Sequence, residues 1–469
     1  MSFVLIGVIL YVAVQLGIGF WVSRRIRTED DYLVAGRSLG YSLVIFTTFA
    51  TWFGAETVVG AAGRIYSEGL SGGSGDPFGY ALCIVFMGLF FAVRIWKLKL
   101  TTIADFFRDR FSRTTERLIV LLMVPTSLFW AAAQIRAFGQ VLSVASGHGL
   151  ELTLGAAAGV VIVYTMFGGM LADAWTDLVQ GIALIIGLLV LFVAVMANGG
   201  AEAFAALEPE RFRLVAPDQD WLDVFEAWAI PVCGSLFAAE LVTRMMAARS
   251  PEVARHSALA AGSLYVLVGL IPVALGLIGP TLVPGLENPE QLLPTLASRY
   301  LGPVFYTVFA GALVSAILST VDSALLVSSA MVSHNLVVPM LPRITETGKV
   351  RIARTGVALF GVLAWILASE AESVYGLVQE ASAFGSSGIF VVMLVGLFTT
   401  VGSGWSAVSS LVAGVAAYVL GAHVAEIDHP FAVSLVSAAM GFGIGLVAET
   451  LRARRLVPST ARSDARRPR

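Results

Sequence analysis

The stretch Phe49-Ala-Thr-Trp-Phe-Gly-Ala-Glu-Thr57 sits in the middle of an apolar run covering residues 41–63. Trp52 lies 11 residues into that run. At 1.5 Å per residue this is roughly 16 Å, near the midplane of a hydrocarbon core about 30 Å thick. Gly54 and Glu56 are costly at that depth in an unbroken helix facing lipid. A helix that breaks there exposes free carbonyls and N–H groups to an ion or a solute. The run 222–247 has the same character, with Pro231, Gly234, Ser235 and then Glu240. The plainer alternative is that these glycines only let helices pack closely.

Composition agrees with a membrane setting. The chain has 469 residues, 57% hydrophobic and 13% charged, with a mean hydropathy of +0.83. Soluble domains carry about 25% charged residues, so a water-soluble enzyme, a disordered chain and a coiled coil are excluded. Thirteen apolar spans can be drawn, at 2–23, 41–63, 76–97, 116–146, 150–169, 172–197, 222–247, 257–280, 295–332, 350–369, 371–398, 404–421 and 428–450. The first is read as a membrane helix and not a signal peptide, because Arg24, Arg25 and Arg27 follow the apolar run. The two runs with break signals stand five spans apart, the offset expected if 41–197 and 222–398 are two five-helix repeats of inverted topology. Spans 2–23, 404–421 and 428–450 are then peripheral. The expectation is an all-α integral membrane protein, one transmembrane domain over 1–450. A disordered basic tail over 451–469 would lie near anionic lipid. Cys83 and Cys233 lie inside spans and imply no disulfide or metal framework.

Charge orients the spans. With the N-terminus outside, 25 of the 30 Lys and Arg residues fall on the loops of the inner side, Arg244 counted among them. Such a bias places those loops, and the C-terminus, in the cytoplasm. The acidic segments 202–223 and 287–290 fall outside, in agreement.

The run 295–332 contains Ser315-Ala-Ile-Leu-Ser-Thr-Val-Asp-Ser-Ala324. Ala316, Ser319, Thr320 and Ser323 follow i, i+3, i+4, i+7 spacing and share one helical face. Asp322 lies beside them, and a carboxylate inside a span is a functional candidate by default. Hydroxyl and carbonyl oxygens are hard ligands that suit an alkali cation. Back-bonding of the hydroxyls to their own helix is the structural alternative.

Three further features complete the pattern: Phe167-Gly-Gly-Met-Leu-Ala-Asp-Ala-Trp-Thr-Asp-Leu-Val-Gln-Gly181, which sets Asp177 at the start of a span; the loop Asp31-Tyr-Leu-Val-Ala-Gly-Arg-Ser-Leu-Gly40; and residues 49–60. With 315–324 they resemble the sodium:solute symporter family, in order and over nearly the whole chain. The resemblance implies a LeuT-like fold, an inverted five-plus-five repeat whose central site is reached by alternating access. It implies a first sodium site made by carbonyls of Ala50, Phe53 and Ala316 with hydroxyls of Ser319 and Thr320. It also implies a second sodium site, present in some members, at Asp177, Ser319, Asp322 and Ser323.

Within the family, Ala50-Thr-Trp-Phe-Gly54 and Phe129-Trp-Ala-Ala-Ala133 look most like the high-affinity choline transporters and their bacterial relatives. Trp52, Trp130 and Tyr80 match positions of an aromatic cage for a quaternary ammonium. Cation–π contacts worth roughly 0.5–2 kcal/mol each give such residues a physical purpose. The sequence departs from that subgroup at Phe237-Ala238, where a tryptophan is usual, and at Arg136, where a small residue is usual. An arginine there is what members with carboxylate substrates use, since it binds carboxylate bidentately. A structural pair with Glu56 or Glu240 is its alternative. The candidate solute site therefore comprises Trp52, Gly54, Thr57, Tyr80, Trp130, Arg136 and Phe237.

The reading is a sodium-coupled importer of a small organic solute in the cell membrane. The solute is a quaternary amine or betaine-like compound, with an amino acid or carboxylate as the alternative. Partners are sodium ions, the solute and the lipid bilayer; no nucleic acid and no organic cofactor is implied. A membrane-embedded enzyme is the rival class. The five histidines (His148, His256, His334, His423 and His429) lie at span ends or in loops, without HExxH or GxSxG. A receptor fused to a signalling domain is the third class, and the short tail argues against it.

Overall fold

In hydrocarbon each backbone N–H must find its acceptor within its own segment, so apolar runs of this length close into helices. The computed structural model describes residues 3–24, 26–341 and 343–456. Its helices are α1 (Phe3–Ser23), α2 (Glu29–Val34), α3 (Tyr41–Trp52), α4 (Ala62–Glu68), α5 (Tyr80–Phe86), α6 (Ala92–Lys97) and α7 (Ile103–Arg110). The long α8 (Arg113–Ser146), α9 (Leu150–Gly168) and α10 (Met170–Val195) follow, then α11 (Ala201–Ala205), α12 (Trp221–Ala229), α13 (Ala239–Ala247) and α14 (Pro251–Leu282). The last are α15 (Leu292–Tyr300), α16 (Pro303–Met331), α17 (Glu346–Glu370), α18 (Val374–Ala383), α19 (Ser386–Phe398), α20 (Gly404–His423) and α21 (Pro430–Leu456). Among the described residues, extended pairing is limited to a single bridge between Leu39 and Ala248.

Among the described residues, ten helical stretches are long and apolar enough to cross a membrane, eleven if Trp221–Gly234 and Ala239–Ala247, bent by 42°, count as one. Thirteen separate spans are not distinguished in this way. The run 41–63 divides into the short α3 and the start of a 42-residue helical path, Glu56–Lys97, which absorbs 76–97 as well. The run 295–332 begins with a separate short helix, α15, because Gly302-Pro303 restarts the chain at α16. The run 371–398 is broken at Phe384-Gly385, where Gly385 adopts a positive φ of 67°. α21 continues to Leu456, so the expected tail starts inside a helix; residues 457–469 lie outside the described residues.

α16 occupies the centre, packed on α8 and α10, and α3 packs on α10, α14 and α16. Contacts among the loops fall into two groups, one rich in basic residues. At the basic end Arg37 donates to the carbonyls of Leu100 (2.7 Å) and Met246 (3.3 Å), and Trp96 donates to the Ala248 carbonyl. Glu29 meets His334 at 2.9 Å and Lys349 at 3.2 Å there. Burial pushes the Asp105 carboxyl up, but bonds from His334 and Thr102, with Arg108 close by, outweigh it and hold it down at about 2. At the opposite end Arg211 donates to Ile65 and Tyr66, and the Glu226 carboxylate accepts both N–H groups of Phe431 and Ala432.

Candidate functional site

The first break is satisfied group by group. α3 ends at Trp52, and Phe53 turns out of helical geometry with ψ of 65°. In a continuing helix the Ala55 N–H would bond to the Thr51 carbonyl. Instead it bonds to Gln134 Oε1 on α8 at 3.0 Å. The carbonyls released at the break are taken from outside α3. Ser319 donates to the Ala50 carbonyl (2.7 Å), Thr320 to the Thr51 carbonyl (2.9 Å) and Tyr265 to the Trp52 carbonyl (3.1 Å). Both hydroxyls also reach the Ala316 carbonyl, at 3.0 and 3.1 Å. Hydroxyl and carbonyl oxygens from two helices thus converge at the break, a set of hard donors with no net charge. The Ala50, Ala316, Ser319 and Thr320 oxygens implied for the first sodium site are brought together. Thr51 joins them through a carbonyl that sequence reasoning missed.

The second group is more charged than expected. Asp177 accepts from Thr47 and, at 3.4 Å, from Thr51. Ser323 donates to Asp173 at 3.0 Å and to the Ser319 carbonyl at 2.8 Å. Carboxylate oxygens of Asp173, Asp177 and Asp322 all lie within 4.8 Å of one another. The Ser319 hydroxyl faces the first site, so of this residue only its carbonyl borders the second group. Arg244 corrects the loop assignment made from sequence. It is fully buried, and its Nη2 reaches Asp173 at 2.9 Å, Asp177 at 3.5 Å and the Ser323 hydroxyl. Asp173 and Arg244 both stand inside apolar runs, which is the signal that could have found them.

The solute candidates divide. Trp52 and Trp130 meet edge to face at 5.0 Å and are 1% and 5% exposed. Neither indole N–H has an acceptor among the described residues. Thr57 donates to Asp76 at 2.7 Å and contacts Tyr265, which also reaches Asp76 at 3.0 Å. Tyr80 pairs with Ser382, which in turn accepts from Ser235 beside the second break. That break runs from a wide turn at Ile230–Gly234 to Ala238. Gly234 is required there, because a Cβ would lie 2.1 Å from the Ser382 carbonyl oxygen. Phe237 stacks between Phe91 and Phe390 and shares a hollow of about 20 Å³ with Trp130.

Arg136 does not join them. It donates to the carbonyls of Ala368 (3.0 Å) and Glu372 (3.1 Å) at the end of α17. The pairing with Glu56 or Glu240 is not made either: Glu56 accepts from Gln134 at 2.7 Å and Glu240 from Ser127 at 2.6 Å. Arg136→Ala should lower thermal stability by about 1–3 kcal/mol through the buried Ala368 carbonyl left without its donor. Its solute affinity should match that of the parent in titrations. A selective loss of anionic ligands would return Arg136 to the site.

A cavity of about 210 Å³ opens at the acidic end and is floored by Glu56, Asp76 and Tyr80. Glu68, Asp223, Glu226 and Asp428 line it further out, against Arg64 and His429. Arg64 is held by Glu68 at 2.9 Å and lies over the Tyr375 ring. Among the described residues neither Glu56 nor Asp76 has a cationic side chain as partner, although both are 2% exposed.

A helical membrane bundle with a central helix, two interrupted helices and converging hard oxygens is the LeuT-like transporter architecture. The chain belongs to the sodium:solute symporter family, whose sequence profile matches residues 32–414. It is 28% identical over 390 residues to a high-affinity choline transporter of Drosophila melanogaster, covering 79% of this chain and 63% of that one, so it spans less than two thirds of that relative. The high-affinity proline transporter PutP of Bacillus subtilis (strain 168) is 28% identical over 454 residues, covering 90% and 94%. The fold matches that of a Na+-coupled sialic acid symporter solved in a substrate-bound outward-open state. The TM-score is 0.82 at 18% identity, over 97% of this chain and 98% of that one.

Proposed function

We propose that this chain is a sodium-coupled symporter that imports a small organic solute carrying a positively charged amine. The N-terminus is outside and the C-terminus cytoplasmic. The observation that carries the coupling is the pairing of the Ser319 and Thr320 hydroxyls with carbonyls released by the break in α3. The same oxygens that now bond to each other can turn their lone pairs onto a bare monovalent cation. Phe53 supplies a further carbonyl in this reading, and Asp177, Asp322 and Ser323 border a second ion.

The solute class is supported by charge. Glu56 and Asp76 are buried carboxylates on the floor of an acidic cavity, and desolvated charge calls for a partner of opposite sign. Trp52, Trp130, Tyr80 and Phe237 provide the aromatic surface around the break. Choline and proline, named in relatives, both carry a positive nitrogen. A zwitterion is the second reading, favoured by the two unpartnered indole N–H groups, which suit a carboxylate oxygen.

The test is uptake by proteoliposomes under an inward sodium gradient, with choline, glycine betaine and L-proline as probes. Accumulation of at least one that stops when potassium replaces sodium is expected. Equal uptake without sodium would sink the coupling. Glu56→Gln and Asp76→Asn should each weaken binding of the transported probe by about 1.5–3 kcal/mol, the range for a bond to a charged group. Calorimetric titration checks this; unchanged affinity in both variants would remove the charge argument.

A further inference from the structure

α13 carries a guanidinium into the middle of a carboxylate cluster. Arg244 is the one arginine buried completely among the described residues. Its Nη2 touches Asp173, Asp177 and Ser323, its Nε donates to the Thr47 carbonyl at 3.1 Å, and its Nη1 to the Glu240 carbonyl at 3.0 Å. One side chain therefore ties α13 to α3, α10 and α16. α13 itself is joined to the helical run Trp221–Gly234 across a break whose non-helical residues are 236–238, at a bend of 42°. Asp177 Oδ1 is buried and has no donor, so the cluster retains an oxygen that Arg244 leaves free. Three carboxylates gather here against a single fixed positive charge.

We propose that Arg244 is a tethered cation that competes with sodium for Asp177 and Ser323. This rests on the sodium-coupled reading and adds to it a residue that sets ion affinity. Two positive charges on the same oxygens repel, so an ion entering at Asp177 drives the guanidinium toward Asp173. Asp173 keeps the arginine inside the core in both arrangements. Withdrawal from Ser323 loosens the grip of α13 on α16, and loss of the ion lets Arg244 return and restore it. Ion occupancy and the position of a half-helix are thus linked through one side chain.

Sodium titration of the purified full-length protein, without solute and read by intrinsic tryptophan fluorescence and by thermal shift, tests this. The variants are Arg244→Lys, Arg244→Met and Arg244→Met/Asp173→Asn, the last removing one charge of each sign. A sodium response that survives Ser319→Ala/Thr320→Ala and is lost in Asp322→Asn marks the cluster. Its half-saturating sodium should fall at least tenfold in Arg244→Met/Asp173→Asn. Arg244→Lys should lie between that variant and the parent, because lysine keeps the charge but cannot bridge two carboxylates. If Arg244→Met fails to fold, the lysine and double variants still decide. A half-saturation equal to or higher than the parent's in both would overturn the proposal, as would a parent with no cluster response. No response to sodium anywhere in the parent would instead overturn the sodium-coupled reading itself.

Discussion

Uptake by the Ser319→Ala/Thr320→Ala protein is expected to require at least about tenfold more sodium for half-maximal rate. In the proposed first ion site each hydroxyl is an oxygen ligand for a charged ion, and bonds to charged groups are worth about 1.5–3 kcal/mol. The same two hydroxyls also hold the Ala50 and Thr51 carbonyls. Their removal therefore loosens the break as well, and melting temperature should fall. The two effects separate experimentally. A structural role alone lowers stability while leaving the sodium dependence of the residual uptake where it was. That outcome, in a folded double variant, would refute the first ion site.

Gly54→Ala is expected to abolish sodium-driven uptake. A Cβ at this position would lie 2.3 Å from Glu56 Oε2 and 2.8 Å from Thr320 Oγ1. Both distances are well inside van der Waals contact, so a methyl group here must displace both side chains from the bonds that hold them. Glu56 is held by Gln134 and Thr320 by the Thr51 and Ala316 carbonyls. Overpacking of this kind costs about 1–3 kcal/mol in a dense interior, and here the strain falls on a proposed ion ligand and on the cavity floor together. Uptake, sodium titration and melting temperature should all change in the alanine variant. Full sodium-dependent transport by Gly54→Ala would mean that Glu56 and Thr320 are not fixed as described.

Much of the architecture was legible in the chain because hydrocarbon imposes a simple rule. Backbone groups must pair within the helix, so long apolar runs become helices, and a glycine next to a carboxylate at mid-depth marks a break. The hydroxyl stripe of α16 was equally visible, since i, i+3, i+4, i+7 spacing fixes a face whatever the neighbours. The distribution of arginines separated the two sets of loops, and the structure gathers each set at its own end. These properties are local in sequence, and local rules suffice to read them.

The pairing of distant charges was not local, and only the tertiary structure decided it. Arg244 looked like a loop base until α13 was seen turned inward onto α10. Arg136 looked like a site residue until its guanidinium was found on carbonyls at the end of α17. Asp76, Gln134 and Tyr265 gave no motif of their own, and Asp173 stood inside a quoted stretch without being singled out. Each acquires meaning from a partner at least 71 residues away, as with Asp173 on Arg244, the Ala55 N–H on Gln134 and Asp76 on Tyr265. The physical reason is the dielectric. In water an isolated arginine or aspartate needs no partner, so the sequence carries no record of one. Inside the bundle each buried charge must be met, and which side chain meets it depends on how the helices cross. Composition and spacing fix the helices, their breaks and the oxygen stripe; the crossing of α3, α10, α13 and α16 alone determines which charges answer one another.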